Sequence, residues 1–270
     1  MTEKHSIGRV RHELRRRLLT VTATERMTPN MLRITLAGED LSGFVSAGYD
    51  DHVKLCFPKP GEEIPVWPAV GPDAVPLPEG TVASPMRDFT PRRYDAERGE
   101  LLIDFALHEG GAASDWAASA VPGSRVGVGG PRGSFVVADD FDWYLLIGDE
   151  TALPAIGRRL EELRADTRAI VIGAVAGPAE EQTFTSRAAL DVRWLHRPLT
   201  TANDVAPWLA AISDLSLPSG DGYVWIAGET NVAKALRRVF VEERGVPRGW
   251  VKSVGYWRYG SEGFHESHGD

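Results

Sequence analysis

Residues 139–163 read DDFDWYLLIGDETALPAIGRRLEEL, and this stretch decides the fold. Its segment Trp143–Gly148 is an uninterrupted apolar run, which is typical of a strand buried on both faces. Apolar residues then recur at helical spacing, with charged residues between them: Leu153, Ile156, Leu160 and Leu163. A buried strand followed by an amphipathic helix predicts a βαβ unit and a parallel sheet.

The same alternation continues toward the C-terminus. Further strands are predicted at Ala169–Ala176, Val192–Leu195, Tyr223–Ala227 and Trp250–Tyr256. A second apolar stripe, which Gly245 and Pro247 end, consists of Val232, Leu236, Val239 and Phe240. We therefore predict a parallel-sheet, nucleotide-binding-like α/β domain over residues 139–270.

The preceding part of the chain has a different pattern, in which short apolar segments are separated by Gly, Pro, Asn and Asp. This pattern predicts an antiparallel domain over residues 1–138, closed into a six-stranded barrel. The proline-rich segment Pro58–Gly80 is predicted to be a long loop. The six predicted strands are Leu18–Thr24, Met31–Ala37, His52–Phe57, Arg87–Arg93, Glu100–His108 and Arg125–Gly129.

Length and composition agree with two folded domains, since 270 residues exceed what one hydrophobic core usually organises. A net charge of -8 disfavours nucleic acid as a partner, because backbone phosphates require a basic surface. The single cysteine, Cys56, excludes an internal disulfide and a cysteine-ligated iron-sulfur cluster within one chain. No apolar run is long enough to insert into a bilayer and no signal-peptide core is visible, so we expect a cytoplasmic protein.

One local exception to the acidic charge is the segment Arg9–Arg17, which carries five arginines. It could contact a membrane surface or form a solvated arm. Because no wide apolar face accompanies these charges, we favour the solvated arm.

Two motifs suit a flavin dinucleotide. In Arg87-Asp88-Phe89-Thr90, the arginine can neutralise a diphosphate, the ring can lie against an aromatic system and the threonine can bond its polar edge. Downstream, Asp104–His108 precedes the small residues Gly111, Ala112 and Ala113 and then Ser114, which opens a helix. Backbone N–H groups at such a helix start can bind phosphate. Trp116 follows them and is more often a core residue than a ligand contact.

Together these segments resemble the siderophore-interacting protein family of FAD-binding ferric-siderophore reductases, within the ferredoxin-reductase-like superfamily. The resemblance implies non-covalent FAD, a flavin-binding barrel, and one-electron reduction of siderophore-bound Fe(III). The segments that carry it are Asp51–Leu55, Arg87 with Phe89 and Thr90, Asp104–His108, Gly111–Trp116 and Gly255–Arg258.

The resemblance also implies roles for matching positions. Arg87, Phe89 and Thr90 would contact the isoalloxazine and the ribityl or phosphate end, although Phe89 stands where tyrosine is common in the superfamily. His108 and Ala112–Ser114 would lie at the diphosphate. The complete expected cofactor set is Arg87, Asp88, Phe89, Thr90, Asp104, Phe105, His108, Gly111, Ala112, Ala113, Ser114, Trp116, Thr151, Tyr256 and Trp257.

The implied chemistry needs no catalytic side chain and no protein ligand to iron, because the flavin carries the electrons. An often anionic ferric chelate needs cations at the mouth of its site. We expect these to be Lys54, Lys252, Arg258 and Arg248. The first three could equally be ordinary surface cations, and for Arg248 a surface cation is the favoured interpretation.

The electron donor stays open between NADH, NADPH and ferredoxin. A Gly-x-Gly-x-x-Gly fingerprint is absent after Trp143–Gly148, and two acids, Asp149 and Glu150, stand where a pyrophosphate would prefer none. Two other functions also stay open: a flavin-carrying protein that binds siderophore without turnover, and a general NAD(P)H-flavin or ferredoxin-type reductase.

Overall fold

The structure is a computed structural model that describes residues 4–69 and 77–261. These residues form two compact units. One comprises residues 8–136, and the other comprises residues 137–261 together with residues 4–7. Part of the predicted loop Pro58–Gly80 lies outside the described residues. No helix in the described ranges is long and apolar enough to cross a bilayer.

The unit of residues 8–136 is an antiparallel β domain. Seven strands form one sheet in the order β5-β4-β8-β2-β3-β7-β6, and β1 pairs separately with β9. One helix, α1 (Ala112–Ser119), follows β7. The strands are β1 (Ile7–Arg11), β2 (Arg16–Thr28), β3 (Met31–Ala37), β4 (Val53–Cys56), β5 (Met86–Phe89), β6 (Arg93–Asp95), β7 (Glu100–Ala106), β8 (Arg125–Gly129) and β9 (Gly133–Val137).

The antiparallel class is confirmed, but the closed six-stranded barrel is wrong in its strand count. In the described residues the sheet has seven strands, and its end strands β5 and β6 do not pair with each other. The predicted strand Arg87–Arg93 is broken after Phe89. Pro91 explains the break, because proline has no N–H to donate to a neighbouring strand.

The core of this unit follows the alternation of its strands. Side chains such as Ile34, Leu36 and Val128 are fully buried between the curved sheet and α1. The single cysteine, Cys56, is also buried at the end of β4, where its Sγ lies 3.9 Å from the carbonyl oxygen of Val66. Burial raises the pKa of the Cys56 thiol to about 11, because a thiolate is poorly solvated there.

The second unit contains the predicted parallel sheet, in the order β12-β11-β10-β13-β14. The predicted combination of a β domain with an α/β domain is therefore confirmed. Its strands and helices are β10 (Trp143–Gly148), α2 (Leu153–Glu162), β11 (Arg168–Val175), β12 (Ala189–His196), α3 (Ala206–Ser213), β13 (Gly222–Glu229), α4 (Thr230–Arg238) and β14 (Val251–Trp257).

The strand order reverses between β10 and β13, which lie side by side in the middle of the sheet. In open parallel sheets, ligands bind outside the carboxyl ends of the strands at such a reversal. In this chain the residues at that position are Asp149 and Glu150 after β10, and Glu229 and Thr230 at the end of β13.

Residues 4–7 belong to the second unit because His5 is fixed there. Its Nδ1 lies 2.9 Å from Asp140 and its Nε2 lies 3.0 Å from Asp221, while its ring stacks on Phe141 at 4.2 Å. The sequence prediction placed this segment with residues 1–138. The tether could not be seen in the sequence, since its partners are 135 and 216 residues away.

Candidate active site

In the β unit, the strand β5 presents the first predicted flavin motif. Arg87 is half-buried; its Nη1 donates to the carbonyl of Met86 at 2.8 Å, while its Nε and Nη2 make no hydrogen bond within the described ranges. Thr90 is a buried residue whose hydroxyl also makes no hydrogen bond there. Both side chains therefore have polar groups left for a ligand.

The ring of Phe89 is half-buried and belongs to an aromatic cluster. It lies 4.5 Å from the ring of Phe105 and 6.1 Å from that of Phe57, and Trp116 packs against both of these rings. Phe105 is fully buried and faces only the core. Phe89 and Trp116 are the members of the cluster with exposed surface left for a ligand.

Asp104, which the motif placed with the cofactor residues, is engaged by the protein. Arg33 donates to both of its carboxylate oxygens, at 2.7 and 2.8 Å, and Arg92 lies 3.8 Å away. Its side chain is only 3% exposed. The structure thus gives Asp104 a bidentate ion pair that ties β7 to β3, and both oxygens are already occupied.

The helix α1 begins with its backbone donors open. Gly111 precedes it and supplies no side-chain cap, so the N–H groups of the first turn have no partner within the helix. A side chain at Gly111 would require the exposed ring of His108 to move, because its Cβ would lie 2.6 Å from that ring. The backbone N–H of His108 in turn donates to Ser114 Oγ at 3.2 Å, which fixes the loop against the helix. This start is a suitable phosphate site.

Lys54 lies across from Asp88 in the pairing of β4 with β5. Its Nζ donates to Asp88 at 2.8 Å, and both side chains are partly exposed. Side chains alternate between the faces of a strand, so Lys54 and Asp88 share one face while Phe89 points to the other. The structure therefore separates Lys54 from the aromatic part of the motif.

In the α/β unit, Asp149 lies where the strand order reverses between β10 and β13, a position called the switch point below. Its buried carboxylate accepts bonds from the backbone N–H and hydroxyl of Thr151, from the backbone N–H of Glu229 and from Trp257 Nε1, all between 2.6 and 3.0 Å. Gly228 makes room for it, because a Cβ there would lie 2.4 Å from Asp149 Oδ2. Thr151 and Trp257 are thus brought together by an acid that the sequence reading did not include in the site.

Glu229 fills the start of α4. Its carboxylate accepts from the backbone N–H groups of Asn231 at 2.7 Å and Val232 at 3.0 Å. Tyr259 N–H donates to its other oxygen at 3.3 Å. These are the donors that a ligand phosphate would otherwise use, so the chain itself occupies this helix start.

A buried ion pair stands beside these two acids. Arg197 Nη2 donates to Glu150 at 2.9 Å and lies 3.9 Å from Asp149. Arg197 Nε and Nη1 and the second oxygen of Glu150 are buried without a hydrogen bond within the described part of the chain. Burial and the charge of Asp149 raise the pKa of Glu150 to about 7, against the opposing effect of Arg197.

The remaining predicted residues of this unit lie along β14. Tyr256 packs edge-on against Trp225 at 6.3 Å. Lys252 is near the amino end of the strand, whereas Arg258 follows its carboxyl end. Six positions of extended strand separate these two cations by about 20 Å, so the structure does not bring them into one cluster. Arg248 is exposed just before the strand, on the Lys252 side.

No group of three or more His, Cys, Asp or Glu side chains in the described ranges is arranged to hold a metal ion. The polar groups found are instead hydrogen-bond donors in the β unit, on an arginine, a hydroxyl and a helix start, and carboxylate acceptors in the α/β unit.

Comparisons with known proteins match this arrangement. Two family models cover the chain: a siderophore-interacting FAD-binding domain over residues 20–135 and the siderophore-interacting protein model over residues 141–260. An NADPH-dependent ferric-chelate reductase of Escherichia coli is 40% identical over 92% of this chain and 95% of that protein. A ferric vibriobactin reductase of Vibrio cholerae is 32% identical, covering 93% of each chain. The crystal structure of a siderophore utilization protein from T. fusca superposes with a TM-score of 0.86 at 38% identity, covering 96% of this chain and 99% of the other.

Proposed function

This chain belongs to the siderophore-interacting protein family, and on that premise we propose that it is an FAD-dependent reductase of ferric siderophores that releases iron as Fe(II). The observation that carries the proposal is its 40% identity, over nearly the full length of both chains, to a protein named as an NADPH-dependent ferric-chelate reductase. The relative that acts on ferric vibriobactin supports a siderophore as the chelate.

The donors that the β unit leaves unused fit FAD. Among the described residues, Arg87 has two guanidinium nitrogens to offer, Thr90 has an unbonded hydroxyl, and the first turn of α1 has open N–H groups. We assign the phosphates to Arg87 and α1, and the aromatic ring system to the exposed part of Phe89. When bound, FAD supplies the conversion of a two-electron donor into single-electron steps.

The remaining motif residues hold these groups in place. Asp104 fixes β7 through Arg33, and Phe105 supports the Phe89 ring from the core. Ser114 fixes the loop before α1 through its bond with His108. We propose that these are positioning residues.

The substrate side follows from the chemistry of iron. Hard oxygen donors of a siderophore hold Fe(III) strongly, and adding one electron lowers the metal charge and weakens that hold. Lys54, Lys252, Arg248 and Arg258 remain our candidates for cations that meet the chelate. Because Lys54 shares its charge with Asp88, we expect a larger effect from Arg258 than from Lys54.

We propose NADPH as the donor, in keeping with the name of the E. coli relative. In this chain the start of α4 is filled by Glu229, so the donor's pyrophosphate is not expected there. Lys234, Arg237 and Arg238 on α4 could meet a 2′-phosphate, but we favour a solvated helix face as their explanation. A cytoplasmic location is part of this proposal, since NADPH is supplied there.

The test is anaerobic reoxidation of the reduced flavoprotein by a ferric siderophore in the presence of a ferrous chelator. We expect the flavin absorbance to return together with formation of the ferrous complex. Flavin that stays reduced would support a siderophore-binding protein without turnover. Reoxidation by ferredoxin but not by the chelate would support a general reductase.

The flavin site has its own test. We expect Arg87→Ala to lower the flavin content of the purified protein, because the phosphates lose a charge-assisted partner worth about 1.5–3 kcal/mol. Arg125→Ala is the matched control, since Arg125 is an exposed arginine on β8 with no hydrogen bond among the described residues. Equal flavin content in the two variants would remove Arg87 from the site.

A further inference from the structure

The β unit contains a basic cleft that belongs to none of the motifs above. Its cavity volume is about 290 Å³. It is bounded by the segment between β1 and β2, by the turn that follows the short helical segment Glu39–Leu41, and by the end of β8. The lining residues are Arg11, His12, Glu13, Arg15, Arg17, Gly43, Val45, Gly130 and Pro131.

Arg17 forms the floor of this cleft and is a buried cation without an acidic partner. It is only 4% exposed. Its Nε donates to the carbonyl of Asp40 and its Nη1 to the carbonyl of Gly130, both at 3.0 Å. Its Nη2 makes no hydrogen bond, and the residue makes no ion pair, within the described ranges. Burial, followed by the neighbouring charge of Arg15, lowers the pKa of Arg17. In the described residues its charge meets carbonyl oxygens and the ring of Phe44, 5.2 Å from its Cζ, but no paired carboxylate, so the position favours an anion.

The walls of the cleft add further positive charge. Arg11 is exposed and has no hydrogen-bond or ion-pair partner among the described residues. Arg15 is paired with Glu13, the one acid in the lining, through two nitrogens on a single oxygen at 2.7 and 2.9 Å. Three arginines against one acid leave a net positive site on a chain whose net charge is -8.

His12 is held on the wall by a buried chain of hydrogen bonds. The hydroxyl of Ser134 donates to Asp51 at 2.6 Å, so His12 Nε2 is the donor in its 2.7 Å bond to Ser134. Asp51 also accepts from Ser46 at 2.8 Å. The imidazole is therefore fixed by interactions within the protein, and its Nδ1 makes no bond in the described residues.

We propose that this cleft binds a phosphate group, held between Arg17 and the guanidinium groups of Arg11 and Arg15. A phosphate fits better than a single carboxylate, because its three or more oxygens can pair with several arginines at once, whereas a carboxylate is satisfied by one fork. The phosphate could be free or could be a lipid headgroup, since the exposed apolar side chains Val10, Leu14 and Val45 lie on or beside the lining segments.

The probe for the free form is inorganic pyrophosphate, titrated calorimetrically into the FAD-loaded protein in 150 mM NaCl, so that flavin already occupies its own site. We expect one site, and about tenfold weaker binding in the double variant Arg11→Gln, Arg15→Gln. Arg125→Gln, an exposed arginine outside the cleft, should change the affinity by less than twofold. Glu13→Gln should strengthen binding, because it releases Arg15.

The lipid form is probed with phosphatidylcholine vesicles that contain phosphatidylglycerol. If the protein sediments with these vesicles and pyrophosphate abolishes the sedimentation, the ligand is a lipid headgroup. If the protein binds pyrophosphate but does not sediment with the vesicles, the ligand is a free phosphate compound. The proposal is overturned if pyrophosphate does not bind, if Arg125→Gln weakens binding as much as the double variant, or if citrate binds more tightly than pyrophosphate. None of these readouts depends on reduction of a ferric chelate.

Discussion

The helices α1 and α4 begin in opposite ways. Gly111 leaves the first N–H groups of α1 open, whereas the carboxylate of Glu229 takes two of those of α4. Both helices follow a strand of their unit, and both starts have the dipole that attracts anions. A helix after a strand is therefore insufficient to identify a phosphate site. What distinguishes the two starts is whether the protein supplies its own acid.

The same contrast holds for charge in the two units as a whole. In the described part of the β unit, Arg87, Arg17 and Arg11 keep guanidinium nitrogens without a hydrogen-bond partner. The α/β unit buries Asp149, Glu150 and Glu229 at its switch point and surrounds them with its own donors. The first arrangement suits anionic ligands. In the second, the protein's own donors bind Asp149 and Glu229, while Glu150 and Arg197 keep buried polar atoms without a hydrogen bond among the described residues.

The largest expected effect tests the acids of the α/β unit. Glu150 has a pKa near 7 in the folded state against about 4.5 unfolded, so the folded state binds its proton more tightly. Its contribution to the free energy of unfolding must fall as pH rises from about 4.5 to 7, by about 3 kcal/mol. Urea unfolding measured between pH 5 and 8 should show this fall in the native protein and not in Glu150→Gln.

The contribution of His5 to the free energy of unfolding also falls as pH rises. Burial lowers its pKa, but hydrogen bonds to Asp221 and Asp140 raise it above its usual value, so its stabilisation is lost as pH rises through the folded pKa. Because His5 is present in both proteins, its contribution cancels when the free energies of unfolding of the native protein and Glu150→Gln are compared at each pH. The remaining difference is the contribution of Glu150. Parallel curves would contradict the assigned pKa.

The second effect tests the occupied helix start. Glu229→Ala should lower the free energy of unfolding by about 2 kcal/mol, because two N–H groups of α4 lose their acceptor. Glu229→Gln keeps an oxygen acceptor and should lose less. Flavin content should be unchanged in both variants, and a loss of flavin without a loss of stability would place this start in the cofactor site.

The smallest effect tests the open helix start. Ala112→Asp places an acid in the first turn of α1, where it would repel a phosphate and weaken FAD binding about tenfold, while the Ala112→Ser control should bind normally. The apoprotein should not be destabilised, since an acid at that position favours the helix. Tight FAD binding by Ala112→Asp would show that the phosphates lie elsewhere.

Local patterns predicted the parts of the fold that depend on neighbouring residues. The strands Met31–Ala37 and Arg125–Gly129 match to the residue, because alternation defines a strand buried on one face. The short strands β1 and β9 were not predicted, since they pair with each other across more than 100 residues. The basic segment Arg9–Arg17, interpreted as a solvated arm, contains the last three residues of β1 and part of the cleft lining.

In the candidate site, too, the sequence predicted the residues that are neighbours along the chain and not those that are distant. The motif around Arg87 and the start of α1 are contiguous in sequence, and both could be identified from residue types alone. Asp149 could be noticed as an acid after a strand, but its bonds with Glu229 and Trp257 span 80 and 108 residues. The sequence feature that could have indicated this contact is the glycine before Glu229. Gly228 has a positive φ and makes room for the Asp149 carboxylate.

The buried Cys56 has a consequence for a protein that releases Fe(II), as proposed here. Peroxide, with which Fe(II) reacts, oxidises cysteine through its thiolate, and susceptibility follows thiolate character and exposure. Burial raises the pKa of the Cys56 thiol to about 11, so the thiol form dominates at neutral pH, and its sulfur is shielded from solvent. The chain therefore carries its one thiol in a buried, protonated form that reacts slowly with peroxide.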